Sequence, residues 1–266
     1  MIISHKYKFI FLHVPKTGGS SIAAYLSQFL GDDDIMNEWS HSLKFGISYN
    51  KESLKLLNNK FALSRISYAI KKRIKDGMIL ERPIFDYALK QVLMKKFGTE
   101  SRHVPGKNIK KYDPKMFKNY FKFCFVRNPY SHAVSAWMWN ENEWSIYGNN
   151  RKIYKNKTKK NFSIYLKWLK KKNNENFFKL PGSKIYSIND EICVDYVGKF
   201  ETIVQDLNKI KRILKLPVER FKIPHEKNNN YNQNYFEYYN AENKKLVEEI
   251  WAKVFKLFNY KYEIFE

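Results

Sequence analysis

The chain has 266 residues, 44% hydrophobic and 17% aromatic, which is enough to bury one sizeable core and excludes global disorder. With 49 Lys+Arg against 26 Asp+Glu its formal charge is +23. Such a field attracts polyanions (nucleic acid, acidic glycans, anionic lipid surfaces or phosphorylated cofactors), although a Lys- and Asn-rich composition with solvated lysines gives the same excess. The two cysteines, Cys124 and Cys193, each sit in an apolar run and read as buried, reduced thiols without a disulfide framework. No run of 18 apolar residues is present, and the first fourteen residues are too short and too charged for a signal peptide. If the sequence is full length, a cytoplasmic location follows.

Taken in chain order, residues 7–14 are an aromatic and branched run that suits a buried strand. The run ends in Pro15-Lys16-Thr17-Gly18-Gly19, and residues 20–30 then carry helical spacing through Ile22, Leu26 and Phe29, stopped by Gly31. Residues 51–97 read as helical, broken near Asp76-Gly77 and Arg82-Pro83; residues 100–114 read as a loop with a short helix. A second buried strand is expected over 121–126, followed by a helix over 130–139 with Asn128 as N-cap and Pro129 at its first position. Residues 141–160 form a polar loop, 162–172 a basic amphipathic helix, 192–200 a third strand and 202–214 a helix. After a polar loop over 217–234, an amphipathic helix over 242–258 closes the chain. The alternation predicts a single α/β domain with a central, mainly parallel sheet flanked by helices, and a helical insertion at about 32–100. In such sheets ligands bind beyond the carboxyl ends of the strands, where the turns after Val14 and Val126 both lie.

Lys16-Thr17-Gly18-Gly19-Ser20-Ser21 has the parts of a phosphate cradle. Glycines admit close approach of backbone N–H groups, a helix start adds donors and the positive dipole end, Lys16 adds charge, and Thr17, Ser20 and Ser21 add hydroxyls. The order is wrong for an ATPase loop, which places its lysine after the glycines.

The string His13-Val14-Pro15-Lys16-Thr17-Gly18-Gly19-Ser20-Ser21 resembles the 5′-phosphosulfate loop of sulfotransferases, closest to the branch of uronyl and heparan 2-O-sulfotransferases and their bacterial relatives. Phe123-Cys124-Phe125-Val126-Arg127-Asn128-Pro129-Tyr130, continuing to Ser135-Ala136-Trp137, resembles the 3′-phosphate motif of that family. A weaker echo runs through 197–201, 223–225 and 258–260. The resemblance implies a P-loop-like three-layer fold and 3′-phosphoadenosine-5′-phosphosulfate (PAPS) as donor, with adenosine 3′,5′-bisphosphate as product. Arg127 and Ser135 then hold the 3′-phosphate, and Lys16 through Ser21 hold the 5′-phosphosulfate.

Sulfuryl transfer needs in-line positioning and charge stabilisation, here assigned to Lys16, and a general base for the acceptor hydroxyl. Of the six histidines His103 is the preferred base: it precedes Arg127 by about two dozen residues, where that branch places its catalytic histidine, and it sits in a polar loop. His13 is the runner-up. No His/Cys/Asp cluster has ligand spacing, so no metal is expected. The expected acceptor is a carbohydrate hydroxyl, of an acidic or neutral glycan, walled by residues 32–60 and 141–160. A P-loop kinase or hydrolase would need the other Lys/Gly order and an acidic strand end. A nucleic-acid binder fits the charge, but no recognised motif accompanies it and the basic residues are spread along the chain.

Overall fold

In the computed structural model, which describes residues 1–75, 84–101, 103–140, 159–174, 182–223 and 235–261, the chain opens with a strand that its short length hides in the sequence. Strands β1 (Ile2–Ser4) and β2 (Phe9–Leu12) pair antiparallel, Ile2 opposite Phe11 and Ser4 opposite Phe9. The turn between them passes through Lys8 at φ 54. Helix α1 (Gly19–Ser27) follows the loop after β2, and β3 (Ile35–Met36) then pairs with β1. Four helices follow: α2 (Ser40–Leu43), α3 (Lys51–Leu57), α4 (Lys60–Lys75) and α5 (Ile84–Lys96). Within residues 32–100 the described residues thus carry these four helices and the edge strand β3.

Between α6 (Gly106–Tyr112) and β4 (Phe121–Val126) lies α7 (Pro114–Asn119), absent from the sequence reading although its start signal is plain. The Asp113 side chain accepts from the Met116 amide, and Pro114 occupies the first turn. Helix α8 (Pro129–Asn140) starts as expected, with Asn128 Oδ1 accepting from the Tyr130 amide. Helix α9 (Lys159–Asn174) comes next, then α10 (Ser183–Tyr186). The third strand is shorter than expected. Residues 191–192 belong to a separate hairpin, β5 (Ser187–Ile188) with β6 (Glu191–Ile192), and β7 (Tyr196–Lys199) alone joins the main sheet. Cys193 consequently lies outside the sheet and only half-buried, while Cys124 is buried; both are free thiols. Helix α11 (Ile203–Ile213) packs after β7. The closing helix is two, α12 (Ala241–Ile250) and α13 (Ala252–Phe258), parted at Trp251.

The protein is thus mixed α/β, with a five-stranded sheet in the order β3-β1-β2-β4-β7 flanked by helices. Parallel pairing is confined to β2-β4-β7, and the β1 pairings are antiparallel, so the sheet is half parallel rather than mainly so. The aromatic runs stack across the parallel strands, Phe11 and Phe123 with ring centroids 5.4 Å apart. A second apolar cluster is built from α8, α9, α12 and α13 around Trp137, Phe162, Tyr165 and Trp251, and Phe258 and Tyr260 pack against both clusters. Among the described residues no helix is long and apolar enough to cross a membrane.

Buried carboxylates tie these pieces together. Asp34, 1% exposed, accepts from the Ser4 hydroxyl (2.8 Å), the amides of His5 (2.6 Å) and Lys6 (3.1 Å), and the Gly31 amide (2.9 Å). It closes the β1–β2 turn onto the end of α1. Asp86 on α5 accepts from the Trp39 and Ser40 amides and the Tyr49 hydroxyl, fastening the inserted helices to the segment after β3. Removing the Asp34 acceptor leaves the buried Ser4 hydroxyl and the partly buried amides of His5, Lys6 and Gly31 without it. Asp34→Ala is therefore expected to lower unfolding stability by about 3 kcal/mol in urea titration, the upper part of the range for a buried charged acceptor; a loss below about 0.5 kcal/mol, as for an ordinary surface change, would show that the turn holds itself.

Candidate functional site

The parallel register brings the two loops of interest together. Leu12 pairs with Cys124, so two residues further on the chain reaches Val14 beside Val126, and Pro15 and Arg127 leave the sheet at the same point. The backbone of the first loop turns through the left-handed region at Lys16 (φ 65) and at Gly18 (φ 77, ψ 11), the residue capping α1. Gly18 thus has the conformation that favours glycine, and Gly19 has no room for a side chain: a Cβ there would stand 2.0 Å from the His13 ring. Left-handed Gly18 followed by helical Gly19 makes a concave turn of the kind that gathers backbone N–H groups around an anion, at the positive end of α1.

Thr17 is fully buried, and its hydroxyl donates to the Val14 carbonyl (3.0 Å). It shapes the loop from inside, whereas Ser20 and Ser21 on the first turn of α1 are half-buried. The Lys16 ammonium lies 5.3 Å from the Trp139 ring centre, over the last turn of α8.

Arg127 is the hub of the second loop. Its guanidinium is 4% exposed, Nε donates to Ser131 Oγ (2.9 Å) and Nη1 donates to the Lys16 carbonyl (3.3 Å). The Phe200 ring lies against it at 4.3 Å, and the same ring and Ile203 pack 3.1 Å from where a Gly18 Cβ would be. Glu201 takes the Asn128 amide on Oε1 (2.7 Å) and the Tyr260 hydroxyl on Oε2 (2.9 Å). Burial lowers the Arg127 pKa to about 10, against an opposing pull from the Glu201 charge, so the group stays cationic at neutral pH. Burial and then Glu201 push the Tyr260 hydroxyl well up, leaving it a neutral donor.

The structure thus places Lys16 to Ser21 and Arg127 in one site. Ser135 is one turn beyond Ser131 on α8 and nearly buried, and the hydroxyl that the Arg127 Nε reaches is Ser131. Sequence reasoning missed Ser131, four residues after the arginine and hence on the helix face that begins there. It also missed the grouping of Phe200, Glu201 and Tyr260, which lie in the weaker family echo; Pro224 and His225 of that echo fall outside the described residues, as does the 141–158 part of the expected acceptor wall.

His103, half-buried, donates from Nδ1 to the His13 carbonyl (2.9 Å), and the two rings meet edge-on with centroids 4.8 Å apart. The bond makes Nε2 the basic nitrogen of His103. Because the His13 ring covers Gly19, both histidines stand at the start of α1. His132 is different: it is 2% exposed on α8, with Nε2 against the Pro15 carbonyl (2.9 Å) and Nδ1 accepting from the Trp251 indole (3.2 Å). Among the described residues no group of three or more His, Cys, Asp or Glu is placed to hold a metal ion.

Burial, helped by the Arg127 and Lys16 charges and opposed by the Pro15 hydrogen bond, lowers the His132 pKa from 6.5 to about 3. The unfolded chain then binds one more proton than the folded chain between those values. The contribution of neutral His132 is complete above pH 6.5 and is lost as pH falls toward 3, at up to about 1.4 kcal/mol per pH unit. Denaturant titrations of wild type and His132→Gln between pH 7 and 4.5 are expected to differ in slope by about one proton; equal slopes would refute the assignment of a neutral buried imidazole.

The chain is 27% identical over 106 residues to an uncharacterized protein of Archaeoglobus fulgidus, a stretch covering 40% of this chain and 76% of that protein. No solved structure matches it. The model of the sulfotransferase family matches residues 1–265, both loops and the sheet between them included. The chain belongs to the sulfotransferase family, whose activity is sulfuryl transfer.

Proposed function

We propose that the protein transfers the sulfuryl group of PAPS to an acceptor hydroxyl, most fittingly of a carbohydrate, releasing adenosine 3′,5′-bisphosphate. One observation carries the reading: the Arg127 guanidinium donates to the Lys16 carbonyl, so a strand-end cation and a glycine turn at a helix start lie side by side. A donor with phosphates at both its 3′ and 5′ positions suits two such groups. Arg127, with Ser131 and Ser135 behind it on α8, faces the 3′-phosphate. Lys16, the Gly18-Gly19 turn, Ser20 and Ser21 take the 5′-phosphosulfate, with Thr17 shaping the loop. The strand–loop–helix order and the parallel β2-β4-β7 core are compatible with a P-loop-like arrangement.

In this reading the donor supplies an activated sulfuryl group on a phosphate that leaves readily. Lys16 neutralises charge that grows on that phosphate, and the loop holds its position without rearrangement. His103, oriented by the His13 carbonyl, presents Nε2 to take the acceptor proton. The acceptor approaches from the side formed by the chain after β3: Met36 pairs with Ile2, which pairs with Phe11, so the carboxyl end of β3 lies at the same end of the sheet as that of β2.

In calorimetry the wild type is expected to bind adenosine 3′,5′-bisphosphate, with no matching response to ATP and Mg²⁺; the reverse pattern removes the donor reading. His103→Ala is expected to lower turnover by about 10² or more with donor binding intact, and Lys16→Ala by about 10² to 10³. Full activity of His103→Ala alongside an inactive His13→Ala would move the base to His13. The +23 charge further suits an acceptor carrying carboxylates. Raising the salt concentration is then expected to increase KM for a uronate-containing glycan more than KM for the donor; equal increases point to a neutral acceptor.

A further inference from the structure

We propose that His132 is a positioning residue for the donor loop, acting through the Pro15 carbonyl and itself held by Trp251. The inference rests on the donor reading above and adds to it a residue that touches no part of the donor.

Three successive carbonyls of the loop are each held by a side chain. Val14 O receives Thr17 Oγ1 (3.0 Å), Pro15 O receives His132 Nε2 (2.9 Å) and Lys16 O receives Arg127 Nη1 (3.3 Å). A peptide unit points its N–H opposite to its C=O. Pinning the Pro15 and Lys16 carbonyls toward the protein therefore turns the Lys16 and Thr17 N–H groups of the same peptide units the other way, while the Val14–Pro15 unit has no N–H to turn. The left-handed Lys16 and Gly18 reinforce that orientation. Of the three donors, Thr17 belongs to the loop and Arg127 belongs to the anion site. His132 alone comes from elsewhere, on the buried side of α8.

The imidazole has one chemical form that satisfies both neighbours. The Trp251 indole N–H is only a donor, so Nδ1 must accept and Nε2 must carry the hydrogen, which is what the Pro15 carbonyl requires. A protonated ring would set an N–H against an N–H. Trp251 is fully buried where α12 ends and α13 begins, so this chain of two hydrogen bonds links the second apolar cluster to the loop.

The test compares wild type, His132→Phe, His132→Gln and Trp251→Phe for thermal stability, affinity for adenosine 3′,5′-bisphosphate, and KM for donor and acceptor. His132→Phe keeps a ring and loses both hydrogen bonds; its bisphosphate affinity and donor KM are expected to worsen by about tenfold or more, the worth of one lost buried hydrogen bond, with acceptor KM unchanged. His132→Gln, whose amide can still donate to Pro15, is expected to recover most of that loss, and Trp251→Phe to fall between. Near-wild-type affinity in a folded His132→Phe protein overturns the inference, as does a Gln variant no better than Phe. Should His132→Phe not fold, nitrogen NMR of the wild-type ring decides: the Nε2–H tautomer, kept on adding bisphosphate, supports the role, and the Nδ1–H or protonated form overturns it. A wild type that binds no bisphosphate overturns the donor reading itself, whatever the variants do.

Discussion

The site is organised around one buried cation. A guanidinium removed from water is unfavourable unless its hydrogens and charge are matched, and Arg127, 4% exposed, is matched from four directions. Its Nε has the Ser131 hydroxyl, its Nη1 the Lys16 carbonyl, its face the Phe200 ring, and the charge of Glu201 stands nearby. The partners come from three stretches of chain: the loop after β2, the first turn of α8, and the corner after β7. Satisfying Arg127 therefore assembles the site, because the chain can bury this residue only by bringing those stretches to one point. A cation so placed is also ready to meet an anionic ligand with little reorganisation.

Beneath that point the sheet is stiff for a simple reason. Phe9, Phe11, Phe123 and Phe125 are all buried, and rings packed at interior density cannot shift singly. Gly198 completes the platform: it pairs with Phe125, and a Cβ there would stand 2.5 Å from the Phe125 ring. Strand β7 can lie beside β4 with that ring in place because this position has no side chain. The loops that hold the site thus rise from strands whose spacing the aromatic packing determines.

The strongly basic character has a structural counterpart. Asp34, Asp86 and Asp206 are among the buried carboxylates, each engaged with backbone amides and hydroxyls. Burial pushes the Asp206 carboxyl up, and hydrogen bonds from Tyr196, the Lys199 amide and Thr202 outweigh it, leaving the carboxyl below its usual range. These three carboxylates thus close turns and join elements instead of facing solvent.

Local signals made the motifs readable in the sequence. The apolar run 121–126, the Asn128-Pro129 helix start and the glycine turn at 18–19 all depend on neighbours within a few residues, and each is where local chemistry puts it. Contacts between distant segments were not readable that way. Strand β1 and the hairpin at 187–192 are too short to carry periodicity, although β1 pairs with the neighbouring β2 and β5 with β6 within one hairpin. Helices α12 and α13 share one amphipathic pattern, so the boundary at Trp251 is not visible in it. The sequence by itself determined that Lys16 to Ser21 and Arg127 end two buried strands. Tertiary structure decided that they lie at one point, since the parallel register that places Pro15 beside Arg127 and the bond from that arginine to the Lys16 carbonyl join segments more than a hundred residues apart, with Phe200 and Glu201 closing in from the corner after β7.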